Sequence, residues 1–302
     1  MADILIHLVL VILMPPLLFG VINRTKAIFA GRSGPPLLQP YYDLLRLLAK
    51  GSVFSRTTTW VFRAGPIVTL AATLVAALLI PLGNHLPPFS FNGDMILFAY
   101  LLALGRFFTT AAALDTGSSF EGMGASREVT FSCLAEPVMF IALLTLSRLS
   151  GSLSLSGMLT HSSAALWMTS GAALILLVAG LFCILLVENC RIPFDDPNTH
   201  LELTMIHEVM VLDHSGPAFG MILYGATLKL FILGAFFLHV ALPLRSPDPW
   251  LDWLVFCASM LLLSVVIGVV ESSMARFRLT RVPQMLLAAG VLSAFAMILV
   301  LR

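Results

Sequence analysis

The chain has 302 residues, 59% of them hydrophobic and only 11% charged, with a formal net charge of +1. An ordinary soluble domain carries about 25% charged residues, so this composition excludes one and describes a single helical membrane domain over residues 1–302. The near-neutral balance offers no basic surface for nucleic acid, and the cysteines Cys133, Cys183, Cys190 and Cys257 form no CxxC pair, which argues for packed thiols rather than iron–sulfur ligation.

A membrane-crossing helix needs about 20 mostly apolar residues. Runs of that kind lie near 4–23, 61–82, 95–114, 129–150, 166–187, 218–243, 252–273 and 283–301. The first lacks the basic flank and small-residue cleavage site of a secretory leader and reads as a retained span. No ten-residue alternation suggests a barrel. The expected fold is therefore all-α: a polytopic integral membrane bundle of about eight transmembrane helices.

The loop at 24–60 carries Arg24, Lys26, Arg32, Arg46, Lys50, Arg56 and, just beyond it, Arg63, against the single acid Asp43. Such a loop is expected on the cytoplasmic side. Arg127, Arg191, Arg276, Arg278 and Arg281 then fall on the same side, against Arg148, Arg245 and Arg302 on the other, so both termini are expected outside. Within the loop, GRSGPP is a turn and YYDLLRLLAK separates leucines from charges. It reads as a short interfacial helix, serving as a surface anchor or as a dock for a partner subunit.

Charges within a bilayer cost at least about 2.5 kcal/mol each, which draws attention to Arg106 and Lys229 inside spans three and six and to Glu136 ahead of Pro137. Glu128 stands about 12 Å above Glu136 on the same helix. It is expected to favour the helix N-terminus, and Glu136 to be a buried structural carboxyl or a member of a proton relay. Lys229 must pair or lose its proton. Asp115, Glu121 and Glu271 read as solvated helix ends, and Glu188 closes span five.

The stretch ENCRIPFDDPNTHLELTMIHEVMVLDHSGP, Glu188 to Pro217, is the most highly charged. Asp196 before Pro197, or Thr199 with Glu202, caps a helix, and Gly216-Pro217 is expected to end it. This makes 188–217 a cytoplasmic loop with a helix between spans five and six. At about 100° per residue Glu202 and Asp213 fall within about 20° of each other, with His200, His207 and His214 in a stripe about 130° away and Glu208 beside it. His207-Glu208 opens like HExxH, but the next histidine comes seven residues on, too far along the axis for one zinc. The histidines are left as proton carriers near neutral pH or as polar contacts with a covering subunit.

GRSGPPLLQPYYDLLRLL, RFFTTAAALDTGSSFEGMGASREVTFSCLAEP and the stretch just quoted resemble, in order and spacing, the membrane subunit that anchors the peripheral arm in complex I and in group 4 nickel–iron hydrogenases. LDTGSSFEGMGASRE and LAEP are more similar to the hydrogenase branch, formate hydrogenlyase and its relatives. The resemblance implies eight spans with both termini outside, and it places Arg191, Pro193, Phe194 and Asp195 in a loop facing subunits that carry the metal centres. It implies a non-catalytic subunit of an oxidoreductase complex of the cell inner membrane, with no cofactor in this chain and the nickel–iron centre and iron–sulfur clusters in partners. Those partners would be hydrogenase large and small subunits, an iron–sulfur subunit and antiporter-like membrane subunits. The proton pathway is then expected to run through Glu128, Glu136, Glu188, Asp195, Glu202, Glu208, Asp213 and Lys229, with Arg106, Arg127 and Arg191 as charge partners. In complex I this loop is richer in glutamate, so His200, His207, Met210 and His214 put quinone binding in doubt. The alternatives are a quinone-site subunit of a complex I-type enzyme and a stand-alone ion transporter; no internal repeat supports the latter.

Overall fold

The computed structural model describes residues 2–160, 164–195, 205–242 and 248–302, with side chains from 166 onward in the second stretch. Ten α-helices follow in chain order: α1 Ala2–Phe29, α2 Gln39–Leu48, α3 Trp60–Ala77, α4 Asp94–Asp115, α5 Ser119–Ser150, α6 Leu155–Thr160, α7 Ala164–Glu188, α8 Gly216–Ala241, α9 Pro249–Ser273 and α10 Val282–Leu301. Eight of them, all except α2 and α6, are long and apolar enough to cross a membrane. Each coincides with one of the apolar runs, α3 ending five residues short of its run and α8 two short, because burying backbone polar groups in lipid leaves the helix as the structure that satisfies them locally.

The packing is built around α8, the most enclosed span. Helix α3 packs on α4 and α8, α1 on α8 and α9, and α10 lies between α5 and α7. The core is continuous through Leu18, Ile22, Phe98, Leu143, Leu177, Phe231 and Phe236, while Ile12, Phe107, Leu254 and Phe295 point outward, as expected where the surrounding solvent is lipid.

Pro15 and Pro16 lie inside α1. Lacking N–H groups, they leave the carbonyls of Val11 and Ile12 without their helical donors. The Tyr224 hydroxyl of α8 donates to both, at 3.3 and 3.2 Å, and the Tyr41 hydroxyl of α2 donates to the neighbouring Leu13 carbonyl. The two freed carbonyls of α1 thus fix α8 against it, and Tyr41 adds a contact from α2.

The segment before α8 differs from its sequence expectation. Among the described residues between the end of α7 and Gly216 there is no α-helix, only a 3-10 turn over Glu208–Val211, and Gly216-Pro217 begins α8 instead of ending a helix; the expected caps, Asp196-Pro197 and Thr199 with Glu202, lie outside the described residues. Proline suits the first helical turn, where its missing N–H is not needed. The amides that a helix would have used are taken by carboxylates: Asp195 Oδ2 accepts from Ile206 N at 3.2 Å and His207 N at 3.3 Å, and Glu121 Oε1 accepts from Asp213 N at 3.1 Å.

Candidate functional site

Four spans and two loop segments bring their charges to one place. Arg106 projects from the middle of α4. Its Nε lies 3.2 Å from Glu128 and its Nη1 2.5 Å from Glu136, both of α5, while Nη2 lies 2.6 Å from Glu188 at the end of α7. Lys229 of α8 closes on the second oxygen of Glu188 at 2.7 Å. A planar guanidinium with five donors is suited to hold several carboxylates at once.

The network continues into the segment after α7. Glu128 Oε2 is 2.9 Å from His207 Nε2, and His207 Nδ1 is 3.5 Å from Asp195 Oδ2. Asp195 in turn is 3.0 Å from Arg276, just beyond α9. The result is an alternating ladder from Arg276 through Asp195, His207, Glu128 and Arg106 to Glu136 and Glu188. Glu128, Glu188 and Asp195 are almost enclosed, whereas 45% of the Glu136 side chain is open on the outer face of the bundle.

Along the ladder four carboxylates face the cations Arg106, Lys229 and Arg276, leaving one negative charge uncompensated until His207 is protonated. Burial opposes a charge on His207, but Cys190, Glu128 and Asp195 beside it more than offset that and hold its pKa well above the ordinary value. Asp195 is likewise opposed by burial, yet the hydrogen bond and charge of His207, with Arg276, keep its pKa below the usual carboxylate range. An imidazole between two carboxylates can take a proton at one nitrogen and release one at the other.

The remaining expected residues take other places. Arg191 pairs with Glu271 at 3.3 Å and lies over the Phe19 ring, and Lys26 meets the same Glu271 at 2.8 Å, forming a second buried cluster. Arg127 donates to the Met205 carbonyl at 2.7 Å and so holds the segment before α8. Asp213 is exposed and Glu208 is half-buried at the start of the 3-10 turn. His207 and His214 do not form one stripe: His214 stacks on Phe62 of α3, with centroids 3.9 Å apart, and burial pulls its pKa down to about 4. His200 and Glu202 lie outside the described residues.

Three acids read as solvated ends are bound. Glu121 and Glu271 are buried, and Asp115 caps α3 by accepting from Thr59 N and Oγ at 2.6 and 2.8 Å. Arg276 and Cys190 are the members that sequence reasoning missed. Arg276 sits among other loop arginines, and nothing local distinguishes it. The described residues contain no grouping of three His, Cys, Asp or Glu side chains fit to hold a metal ion.

A family model described as NADH dehydrogenase matches residues 2–302. The chain belongs to that family. Among curated relatives it is 33% identical to hydrogenase-4 component C of Escherichia coli (strain K12), covering 90% of this chain and 85% of the relative. It is 32% identical to formate hydrogenlyase subunit 4 of the same organism, covering 93% and 92%, and 29% identical to a subunit of the NADH-quinone oxidoreductase of Anaplasma phagocytophilum (strain HZ), covering 85% and 82%. The fold is shared with a chain of the membrane-bound sulfane sulfur reductase, an archaeal respiratory membrane complex, at a TM-score of 0.84 and 21% identity over 99% of this chain and 100% of the other. This is a multi-pass membrane subunit of the family that serves complex I-like and group 4 hydrogenase complexes.

Proposed function

We propose that this chain is the integral membrane anchor and proton-coupling subunit of an energy-converting hydrogenase or formate hydrogenlyase-type complex, linking a cytoplasmic redox arm to the membrane arm. The observation that carries the reading is the ladder: contacts between Arg276 and Glu136 lead without a gap from a loop-side arginine to a carboxylate open on the bundle's outer face. The higher identity to the two hydrogenase-type relatives than to the quinone oxidoreductase relative favours the hydrogenase branch.

In this reading the loop side faces the cytoplasm of an inner membrane. The nickel–iron centre and iron–sulfur clusters reside in hydrogenase large and small subunits and an iron–sulfur subunit docked there. A redox change at that face alters the field on Asp195 and His207, and an opposite charge gained or lost nearby moves a carboxyl or imidazole pKa. A proton taken up at Glu128 changes the charge facing Arg106, whose guanidinium keeps its own protons and passes the effect on to Glu136 electrostatically. Glu136 then exchanges a proton with an antiporter-like membrane subunit, since a half-exposed carboxylate inside a span needs a polar neighbour.

The test uses the whole complex in sealed vesicles. Glu136→Gln is expected to lower proton movement per hydrogen-linked turnover about tenfold, a loss of roughly 1.4 kcal/mol in the transfer step, while the subunits still copurify. Unchanged coupling would leave the chain as an anchor alone. Quinone-dependent turnover blocked by quinone-site inhibitors would instead assign it to a quinone reductase.

A further inference from the structure

The ladder and the Arg191–Glu271 cluster meet at one short turn. The Arg191 carbonyl accepts from Phe194 N at 2.9 Å and from Asp195 N at 3.3 Å, so the backbone of Asp195, the carboxylate that faces His207, hangs on Arg191. The end of α9 and the stretch after it run along the same turn. Glu271 Oε1 meets Arg191 Nη1 at 3.3 Å, Phe277 N donates to Pro193 O at 2.8 Å, the Phe277 ring stands edge-on to Phe194, and Arg276 meets Asp195 at 3.0 Å. The two ion pairs have opposite polarity. An exchange of partners would set Arg191 against Arg276 and Asp195 against Glu271, so the charges fix one register between the two stretches.

The Arg191 end of the turn has few holds. Its buried guanidinium lies over the Phe19 ring of α1, 4.0 Å from the centroid, and its Nε and Nη2 have no hydrogen-bond partner among the described residues. A buried cation with unmet donors depends on the anion it has, and that anion is Glu271. Lys26 of α1 stands 2.8 Å from the second Glu271 oxygen, as an ion pair without hydrogen-bond alignment. We infer that Glu271 is a positioning residue for the relay: by holding Arg191 it sets the turn that presents Asp195 to His207. The Asp195 contact to the ring is 3.5 Å, against 2.9 Å for Glu128 on the other nitrogen, so a displaced turn loses the Asp195 contact first. The titratable groups facing His207 are Glu128 of α5 and, from the turn, Asp195 and Cys190, with Arg106, Lys229 and Arg276 one contact further out.

The inference rests on the proton-coupling reading, and the experiment separates the two. Glu271→Gln, Arg191→Met and His207→Gln are compared in the intact complex in vesicles, following proton movement per turnover against pH. Asp195 favours the protonated ring, so its displacement is expected to bring the alkaline fall in coupling about one pH unit lower. Glu271→Gln and Arg191→Met change the local charge in opposite senses. Acting through the field alone, the first would lower the alkaline limb and the second raise it, whereas loss of position lowers it in both. Opposite shifts, or a wild-type profile in either variant at full incorporation, overturn the inference; coupling lost in His207→Gln then leaves the relay standing. Coupling unchanged in His207→Gln overturns the relay itself. If either variant fails to incorporate, Glu271→Asp decides, because it keeps the charge and withdraws the carboxylate by one methylene: a shift to lower pH carries the inference and a wild-type profile overturns it.

Discussion

Arg106 contacts three carboxylates through three different nitrogens, at 3.2, 2.5 and 2.6 Å. Two of these, Glu128 and Glu188, are nearly enclosed and come from different helices, so the guanidinium is as much a cross-link of α4, α5 and α7 as a relay member. Removing one partner of a buried charge group strands the others, at a cost of about 3–5 kcal/mol. Arg106→Met is therefore expected to destabilise the subunit by an amount of that order. Arg106→Lys keeps the charge but loses the fork, and with it the separate nitrogens that hold Glu128, Glu136 and Glu188 at once; a loss of about 1–2 kcal/mol is expected. Thermal unfolding of the detergent-solubilised complex measures both. Equal losses in the two variants would mean that charge alone matters and the fork geometry does not.

At the scale of elements, the segment from Met205 to Ser215 is fixed by side chains rather than by its own backbone ladder, and its two described histidines respond to pH with opposite sign. His214 is neutral on Phe62, its pKa pulled down by burial to about 4. Above pH 6.5 it is neutral folded or unfolded and costs nothing. As pH falls from about 6.5 to about 4 the unfolded chain binds a proton that the folded one refuses, and stability drops by roughly 3 kcal/mol. His207, raised by its carboxylates against burial, contributes stability that is fully present below pH 6.5 and is lost as pH rises through its folded value. Hydrogen exchange across 205–215 is thus expected to be slowest near neutral pH and faster on both sides. His214→Phe, which keeps the stack without the titration, is expected to remove the acid limb only; an acid limb that survives would place its cause elsewhere.

The same segment marks where sequence reading stops. Hydropathy is a local property, so all eight spans were legible, as were Arg106, Glu128, Glu136, Glu188 and Lys229 as charges in or at the edge of lipid. The Gly-Pro stop was a sound local signal for a helix end. It was outvoted where Asp195 and Glu121, carboxylates outside the segment, take amides at Ile206 and Asp213; the capping box at Thr199 and Glu202 lies outside the described residues. Glu271 failed for the same kind of reason: a carboxylate at a helix end looks solvated until Lys26 and Arg191, far away in sequence, fold over it.

Across the whole molecule the charges sort to two ends. One end joins the close of α1 to that of α9 through Lys26 and Glu271, the loop after α2 to the start of α8 through Val53 and Ser215, and Asp115 to the start of α3. The basic loops lie here, and the ladder opens here at Arg276 and Asp195. The opposite end holds Asp3, His85 and Asp252, with His85 stacked on Trp253, and the only described basic residues near it are Arg148 and Arg302. Both termini belong to this sparsely charged end, because eight crossings return the chain to the side on which it began. Retention of basic loops on the cytoplasmic side then leads to an expected outcome. Epitope tags at residue 2 and after Arg302 should be cut by protease added to intact spheroplasts, and a tag inserted after Ser33 only after lysis. The reverse pattern would turn the mouth of the ladder away from any cytoplasmic redox arm, and the coupling role would fall with it, whatever the contacts between Arg276 and Glu136.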